Sequence, residues 1–269
     1  QQVGGQEHFY LEGQVSLATP QDNGGVLIHS SSQHPSEVQK LVAEVLALPM
    51  HKVMVDMRRM GGGFGGKETQ AAQWACLAAL LAVRNQKAVK LRLSRSDDMA
   101  LTGKRHPFVN QAQVGFDADG QIQALNADLH GLCGCSPDLS DAIVDRAMFH
   151  TDNAYYLPNA TIAGHRWFQN TASNTAYRGF GGPQGMFVIE SALAHAAEEL
   201  GISRHELQKN NLLKNGDEFP YGQIADGVEL NPIWQEMESK FDIETIEKEM
   251  DEFNSNHTNV KKGFSLMPV

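Results

Sequence analysis

Two glycine-rich turns contain the residues whose types and spacing could do chemistry. The first, residues 61–68, reads GGGFGGKE, and the second, residues 178–184, reads RGFGGPQ. Glycine has no Cβ, so the backbone of such a turn can approach a ligand closely, and a helix that begins after it offers unpaired N–H groups. Each turn also frames one aromatic ring, Phe64 or Phe180, which is suited to lying against a flat ring. Because the same arrangement recurs far apart in the chain, we predict that the two turns share one pocket.

The first turn also has the opening spacing of a phosphate-binding P-loop. Gly61 and Gly66 are followed by Lys67, but Glu68 stands where magnesium chemistry needs Ser or Thr. A carboxylate at that point would repel phosphate oxygens. Nucleotide binding is therefore the weaker interpretation, and a tight turn without a ligand is the plain structural one.

Hydrophobic periodicity predicts the elements that must position these turns. Alternation and turn residues indicate strands, and apolar residues at helical spacing indicate helices. The strands are expected at residues 11–18, 26–30, 51–58, 89–93, 108–116 and 122–128, and the helices from residue 35, at 69–84, at 183–200 and, among polar segments after 203, at 243–253. An irregular region is expected between the last strand and the second turn. Hairpins mixed with helices, without regular βαβ alternation, predict an α+β fold of mixed α/β layers.

Composition narrows the classes of partner. The 269 residues have a formal net charge of −10, which disfavours nucleic acid. No apolar stretch reaches the roughly 20 residues that a bilayer needs, and the first residues lack the basic and apolar regions of a signal peptide. Three cysteines are too few to bind an iron–sulfur cluster and favour a reducing compartment. We therefore expect a cytoplasmic protein with no membrane span.

Five motifs together resemble the molybdopterin-binding large subunit of the xanthine dehydrogenase and aldehyde oxidase family. They are GGQEHFY at 4–10, GGGFGGKE at 61–68, KRHPF at 104–108, DRAMFH at 145–150 and NTAYRGFGGPQ at 174–184. The resemblance implies that residues 1–269 are the N-terminal half of the molybdenum region, in the first molybdopterin-binding domain. The C-terminal half, with the glutamate that serves as catalytic base, lies outside the chain, so we expect the chain alone to be inactive.

The resemblance also implies a reaction and its cofactors. The expected activity is that of a xanthine dehydrogenase, the hydroxylation of hypoxanthine and xanthine to urate at a molybdenum–pyranopterin (Mo-molybdopterin). Electrons are expected to pass through 2Fe-2S clusters and FAD, carried by a small subunit or other domains, to NAD. An oligomeric complex is expected.

Six residues are implied to hold the cofactor: Gln33, Gly63, Phe64, Gly65, Arg178 and Gly179. Gln33 matches the amide that donates to an oxo group on the metal, which suits an amide because it donates without adding charge. Phe64 and Gly65 match the backbone that approaches the same group. Arg178 and Gly179 match the turn whose main-chain N–H groups hold the pterin. None is expected to bind molybdenum directly; Gln33, Phe64 and Arg178 are expected to lie next to it.

Four further residues are implied to bind the substrate. Glu68 and Arg146 match the pair that positions the purine and stabilises its charge, Phe180 matches the ring that stacks on it, and Ala176 lines the pocket. Related aldehyde oxidases tend to have an apolar residue in place of Arg146, which favours a purine. An aldehyde or N-heterocycle oxidoreductase, and a non-catalytic module, remain as alternatives.

Three other residues have the side-chain types of a base: Asp97, Asp98 and His106. Nothing in the sequence places them at the pocket.

Overall fold

A computed structural model describes residues 1–268, which form two compact units. Unit 1 comprises Gln1–Val109, Leu129–Ala147 and Gly164–Gly182, and unit 2 comprises Asn110–Asp128, Met148–Ala163 and the residues from Pro183 onward. The described residues contain eight strands and eight α-helices, so the predicted α+β class is confirmed. That residues 1–269 make up one molybdopterin-binding segment stays a prediction.

The strands and helices alternate irregularly along the chain. The strands are β1 (Gln2–Val3), β2 (Val15–Pro20), β3 (Val26–Ser30), β4 (Val53–Asp56), β5 (Val89–Arg92), β6 (Phe108–Phe116), β7 (Ile122–Gly134) and β8 (Ala160–Phe168). The helices are α1 (Pro35–Leu46), α2 (Gln70–Asn85), α3 (Arg95–Leu101), α4 (Ser140–Phe149), α5 (Gly182–Leu200), α6 (Arg204–Asn210), α7 (Leu230–Phe241) and α8 (Ile243–Asn256). None of the described helices is long and apolar enough to cross a membrane.

The first sheet of unit 1 supports the first glycine-rich turn. Its strand order is β4-β3-β2-β5, with β3 parallel to β4 and the other neighbours antiparallel. Helices α1 and α2 pack on one face of this sheet. The contact surface of α2 consists of buried alanines, whose small side chains let the helix lie close to the strands: Ala71, Ala72, Ala75, Ala78, Ala79 and Ala82.

A helix rich in Ala and Leu, with almost no polar residue after Gln73, is predicted to be buried on most sides, but α2 is not. Leu77, Leu80 and Leu81 are about half exposed, because the alanine positions already supply the whole packed face. From the sequence, the alanines of α2 add to its apolar residues without indicating a side. In the structure they form the side of the helix that faces the sheet.

The second sheet has the strand order β1-β6-β7-β8. The expected irregular region contains α4 and β8, which the sequence did not reveal. Strand β8 has no regular alternation of buried and exposed residues, so it lacks the pattern by which strands are recognised. Helix α4 buries Ile143, Val144 and Ala147 but begins in a stretch rich in Ser, Asp and Pro. Its weak periodicity explains why it was missed.

Unit 2 is organised around a buried carboxylate on α5. Glu190 accepts hydrogen bonds from the Tyr155 hydroxyl at 2.7 Å and from Gln208 at 2.9 Å, and forms an ion pair with Arg204 at 3.0 Å. A buried charge with this many partners is compensated, so the cluster fixes the packing of α5 and α6.

Candidate functional site

The first glycine-rich turn connects β4 to α2 and has an unusual backbone. Gly61, Gly62 and Gly65 have φ values of 75°, 89° and 101°, and Phe64, which has a Cβ, also has a positive φ of 54°. Left-handed backbone at a bulky residue costs conformational energy and persists only where the surroundings enforce it. The Phe64 side chain remains 52% exposed, so core packing does not explain its conformation.

Gln33 holds this turn in place. Its Oε1 accepts hydrogen bonds from the main-chain N–H groups of Gly65 at 2.8 Å and Lys67 at 3.2 Å. Two N–H donors identify this end of the amide as the oxygen, so the NH₂ end is left to donate elsewhere. A Cβ on Gly63 would collide with the same amide, which explains why this position lacks a side chain.

The two glycine-rich turns lie against each other, while a pocket shared between them stays a prediction. The main-chain N–H of Arg178 donates to the carbonyl oxygen of Phe64 at 2.9 Å. A Cβ on Gly65 would lie 2.5 Å from the carbonyl oxygen of Ala176, so only glycine permits this approach. The Arg178 N–H, one of the main-chain donors expected to hold a pterin, therefore donates within the protein, and the role of the Gly179 N–H stays a prediction.

The second turn is held by side chains from two of the motifs. The imidazole Nε2 of His8 lies 2.7 Å from the carbonyl oxygen of Ala176. The guanidinium of Arg105 donates to the carbonyl oxygen of Arg178 at 2.6 Å and stacks 3.9 Å above the ring of Tyr177. These contacts give the GGQEHFY and KRHPF motifs a positioning role that the sequence did not show.

Phe180 and Arg146 are carried by segments in direct contact. Gly181, with a φ of 95°, lies so close to α4 that a Cβ there would collide with the carbonyl oxygen of Ile143, and would be 3.1 Å from the N of Ala147. Arg146 belongs to this same turn of α4 and is exposed. Phe180, with a φ of 48°, is half-buried.

Glu68 is linked to the beginning of α4 through its neighbours. The Asp138 carboxylate accepts hydrogen bonds from Thr69 Oγ1 at 3.0 Å and Gln70 Nε2 at 3.2 Å. Glu68 itself is half-buried, and burial raises the pKa of its carboxyl. All ten predicted site residues lie in unit 1, and these links connect the segments that carry them. Asp138 was missed because a single Asp in a Ser- and Pro-rich segment gives no signal.

Lys67 does not face a ligand. Its side chain is fully buried, and its Nζ donates to the Glu12 carbonyl at 2.7 Å, Ser31 Oγ at 2.7 Å and the Met60 carbonyl at 2.8 Å. All three ammonium protons are therefore used inside the protein. The P-loop interpretation is wrong, because its lysine has to reach a phosphate.

Two of the residues with the chemistry of a base are structural. Asp98 is buried and accepts from the Tyr10 hydroxyl at 2.6 Å and the Gln14 N–H at 2.8 Å. His106 is buried with its Nε2 2.7 Å from Ser140 Oγ, and burial lowers its pKa to about 4. Asp97 is at the start of α3, where Ser94 accepts from its main-chain N–H.

Comparison with known proteins identifies the family. Residues 1–212 match the family model described as a molybdopterin cofactor-binding domain. The chain belongs to the molybdopterin cofactor-binding domain family. All ten predicted site residues fall within the matched part.

Curated relatives of this family member include enzymes with different substrates. The chain is 42% identical over its whole length to a xanthine dehydrogenase from Oryza sativa subsp. japonica, and 38% identical over 99% of its length to a nicotinate hydroxylase from Emericella nidulans. It spans 20% of the length of each relative.

Solved structures of two oxidoreductases share the fold. An aldehyde oxidoreductase from Desulfovibrio gigas superposes with a TM-score of 0.84 at 26% identity, covering 96% of this chain and 28% of that chain. A quinoline 2-oxidoreductase from Pseudomonas putida 86 also gives 0.84, at 21% identity over 95% of this chain and 33% of that chain, which shows the fold alone.

The residues present fit a molybdopterin. Gln33 has an NH₂ donor end that the turn does not use, and Phe64 is exposed on a left-handed backbone that core packing does not explain. Within residues 1–268 no three His, Cys, Asp or Glu side chains converge to hold a metal ion. The unused amide donor of Gln33 is neutral, so it suits contact with an oxygen of a bound cofactor without adding charge.

Proposed function

We propose that this chain forms part of a xanthine dehydrogenase that hydroxylates hypoxanthine and xanthine to urate. The observation that carries the proposal is the junction of the two glycine-rich turns, at which Phe64 O accepts from Arg178 N. This junction brings the Gln33 segment together with the turn of Phe180, which itself lies against the turn of α4 that carries Arg146.

Each residue then has a task toward the cofactor or the purine. When bound, the molybdenum–pyranopterin supplies two-electron hydroxylation chemistry. Gln33 donates a neutral hydrogen bond toward the cofactor, and the backbone of Phe64 and Gly179 lets it approach. The half-buried ring of Phe180 stacks on the flat substrate. Ala176 keeps the pocket wall small.

Glu68 and Arg146 position the substrate by charge and hydrogen bonding. Burial raises the pKa of Glu68, and its carboxyl can hydrogen-bond a ring nitrogen of the purine. The exposed guanidinium of Arg146 stabilises the negative charge that develops on the purine during attack. We propose that the base that moves the proton belongs to the part of the protein outside this chain.

The same proposal includes the electron path. We infer that 2Fe-2S clusters and FAD on other domains or a small subunit carry the electrons to NAD, in an oligomeric cytoplasmic complex. Reduction of NAD by xanthine in the full-length protein, set against reduction of oxygen, tests this part.

The purine assignment is tested by Arg146→Met in the full-length, molybdenum-loaded protein. We expect kcat/KM for xanthine to fall about 10²- to 10³-fold, the usual effect of removing one charge-stabilising donor, while aldehyde turnover changes little. Arg84→Met is the matched control, since Arg84 is also an exposed arginine in the last turn of a helix. Equal losses for both substrates would refute the role of Arg146 in purine binding.

A second candidate is an N-heterocycle hydroxylase acting on a carboxylated ring. The 38% identity to a nicotinate hydroxylase favours it, and a ring carboxylate would also suit Arg146. A higher kcat/KM for nicotinate than for xanthine would select this function. No turnover of xanthine, nicotinate or aldehyde in a fully molybdenum-loaded sample would instead indicate a non-catalytic module.

A further inference from the structure

The buried side chain of Lys67, in the first glycine-rich turn, connects three separate segments of unit 1. Its ammonium donates to the carbonyl of Glu12 in the N-terminal segment, to Ser31 just after β3 and to the carbonyl of Met60 just before the turn. The side chain is 0% exposed. Lysine side chains usually extend the amine to water, so complete burial of this ammonium indicates a structural role.

The surroundings compensate the buried charge. The ammonium lies 4.6 Å from the centre of the Tyr10 ring, and the Tyr10 hydroxyl donates to the buried Asp98. Gln14 donates both to that hydroxyl at 3.0 Å and to the carbonyl of Gly66 at 2.9 Å. The polar groups around Tyr10 therefore bond to the main chain at both ends of the glycine-rich stretch, at Met60 and at Gly66.

The main chain of Lys67 also fixes Gln33. The Lys67 N–H donates to Gln33 Oε1, and the Lys67 carbonyl accepts from the Gln33 N–H at 2.8 Å. Displacement of the Lys67 side chain would thus move the acceptor and donor that orient the Gln33 amide. Ser31 lies two residues before Gln33. The side chain of Lys67 therefore bonds to the same short segment that its main chain contacts at Gln33.

We propose that Lys67 is a positioning residue that, acting through Gln33 and the glycine-rich turn, sets the donor presented to the cofactor. The part of this inference that concerns the cofactor rests on the proposed function. The part that concerns the geometry of the turn does not. Lys67 acts indirectly, because its ammonium is buried and donates to three protein oxygens.

The first measurement is amide hydrogen exchange on the cofactor-free, full-length Lys67→Met protein. Methionine keeps the length of the side chain and removes the ammonium. We expect protection at residues 31–34 and 61–68 to fall about tenfold or more, while the buried face of α2 keeps its protection. Lys40→Met, at an exposed lysine of α1, is the control and should change neither segment.

Two outcomes of the exchange experiment overturn the positioning role. Unchanged protection at 61–68 shows that the ammonium does not hold the turn, and an equal loss throughout unit 1 shows a general stabilising role. Should Lys67→Met fail to fold, Ser31→Ala carries the test, because it removes one of three acceptors. It should give a smaller loss confined to the same two segments, and no loss there would contradict the proposal.

The second measurement is the molybdenum retained per chain after extensive dialysis of the loaded protein. We expect Lys67→Met to retain several-fold less than wild type and Lys67→Arg, which keeps a cation, to recover part of the difference. A local loss of exchange protection with unchanged retention would refute the connection to the cofactor. A wild-type protein that binds no molybdenum would refute the proposed function and leave the exchange result standing.

Discussion

Replacement of Gly65 by alanine tests the junction of the two turns most directly. The added Cβ would lie 2.5 Å from the carbonyl oxygen and 2.6 Å from the carbonyl carbon of Ala176, and 2.8 Å from the N of Tyr177. All three are main-chain atoms, so no side-chain rotation relieves the contact. The residue also has a φ of 101°, which alanine rarely adopts.

Both effects contribute to the expected loss. Left-handed backbone costs a residue with a Cβ about 1 to 2 kcal/mol, and forcing an extra carbon into packed atoms costs about 1 to 3 kcal/mol. Together they amount to about 2 to 5 kcal/mol, enough to favour separation of the turns about 30-fold or more. The hydrogen bond from Arg178 N to Phe64 O then breaks.

Amide exchange at Arg178 and the molybdenum content of the full-length protein measure this separation. We expect the Arg178 amide to lose protection and the molybdenum content to fall with it. Gly4→Ala is the matched control, because a Cβ at Gly4 meets nothing within 4 Å. A Gly65→Ala protein with wild-type protection at Arg178 would show that the two turns do not depend on this close approach.

Three further predictions concern other parts of the chain. Gln33→Glu keeps an oxygen for the two turn N–H groups but loses the NH₂ donor. Amide-exchange protection at 61–68 should therefore be preserved while molybdenum retention falls. Loss of both the protection and the molybdenum would mean that Gln33 only holds the turn. Gly181→Ala should push the second turn off α4 and lower the affinity for xanthine, seen as a higher KM, and an unchanged KM would count against that contact. Burial raises the pKa of Asp152 from 3.8 to about 7, so the native state binds its proton more tightly than the unfolded state and loses stability as pH rises from about 4 to 7. Asp152→Asn should therefore raise the free energy of unfolding by up to about 4 kcal/mol near pH 8 and by little near pH 4, and a pH-independent difference in thermal midpoint would contradict this.

Much of the fold of unit 1 follows from local sequence patterns. The strands near β2, β3 and β5 and helices α1 and α2 were predicted close to where they lie, since alternation and helical spacing are strong there. Helix α4 and strand β8 were not, because contacts distant in sequence stabilise them more than their own periodicity does. This matters for function, since α4 carries Arg146.

Some features of the candidate site could likewise be predicted from the sequence, and others could not. The glycine pattern indicated two turns with exposed aromatic residues, and the structure shows Phe64 and Phe180 in left-handed conformations within such turns. The roles of Lys67 and Asp138 were invisible, because a lysine or an aspartate next to glycines usually faces water.

The sequence by itself determined which segments can turn tightly, since the lack of a Cβ is a local property of glycine, and its motifs led to the molybdopterin cofactor-binding family. Only the tertiary structure decided which turns meet and which polar groups are buried. Contacts such as that of Arg178 N with Phe64 O, or of the Lys67 ammonium with Glu12 and Ser31, join residues far apart in the chain. Their free energy depends on three-dimensional proximity and exclusion of water, which no local pattern of residues records.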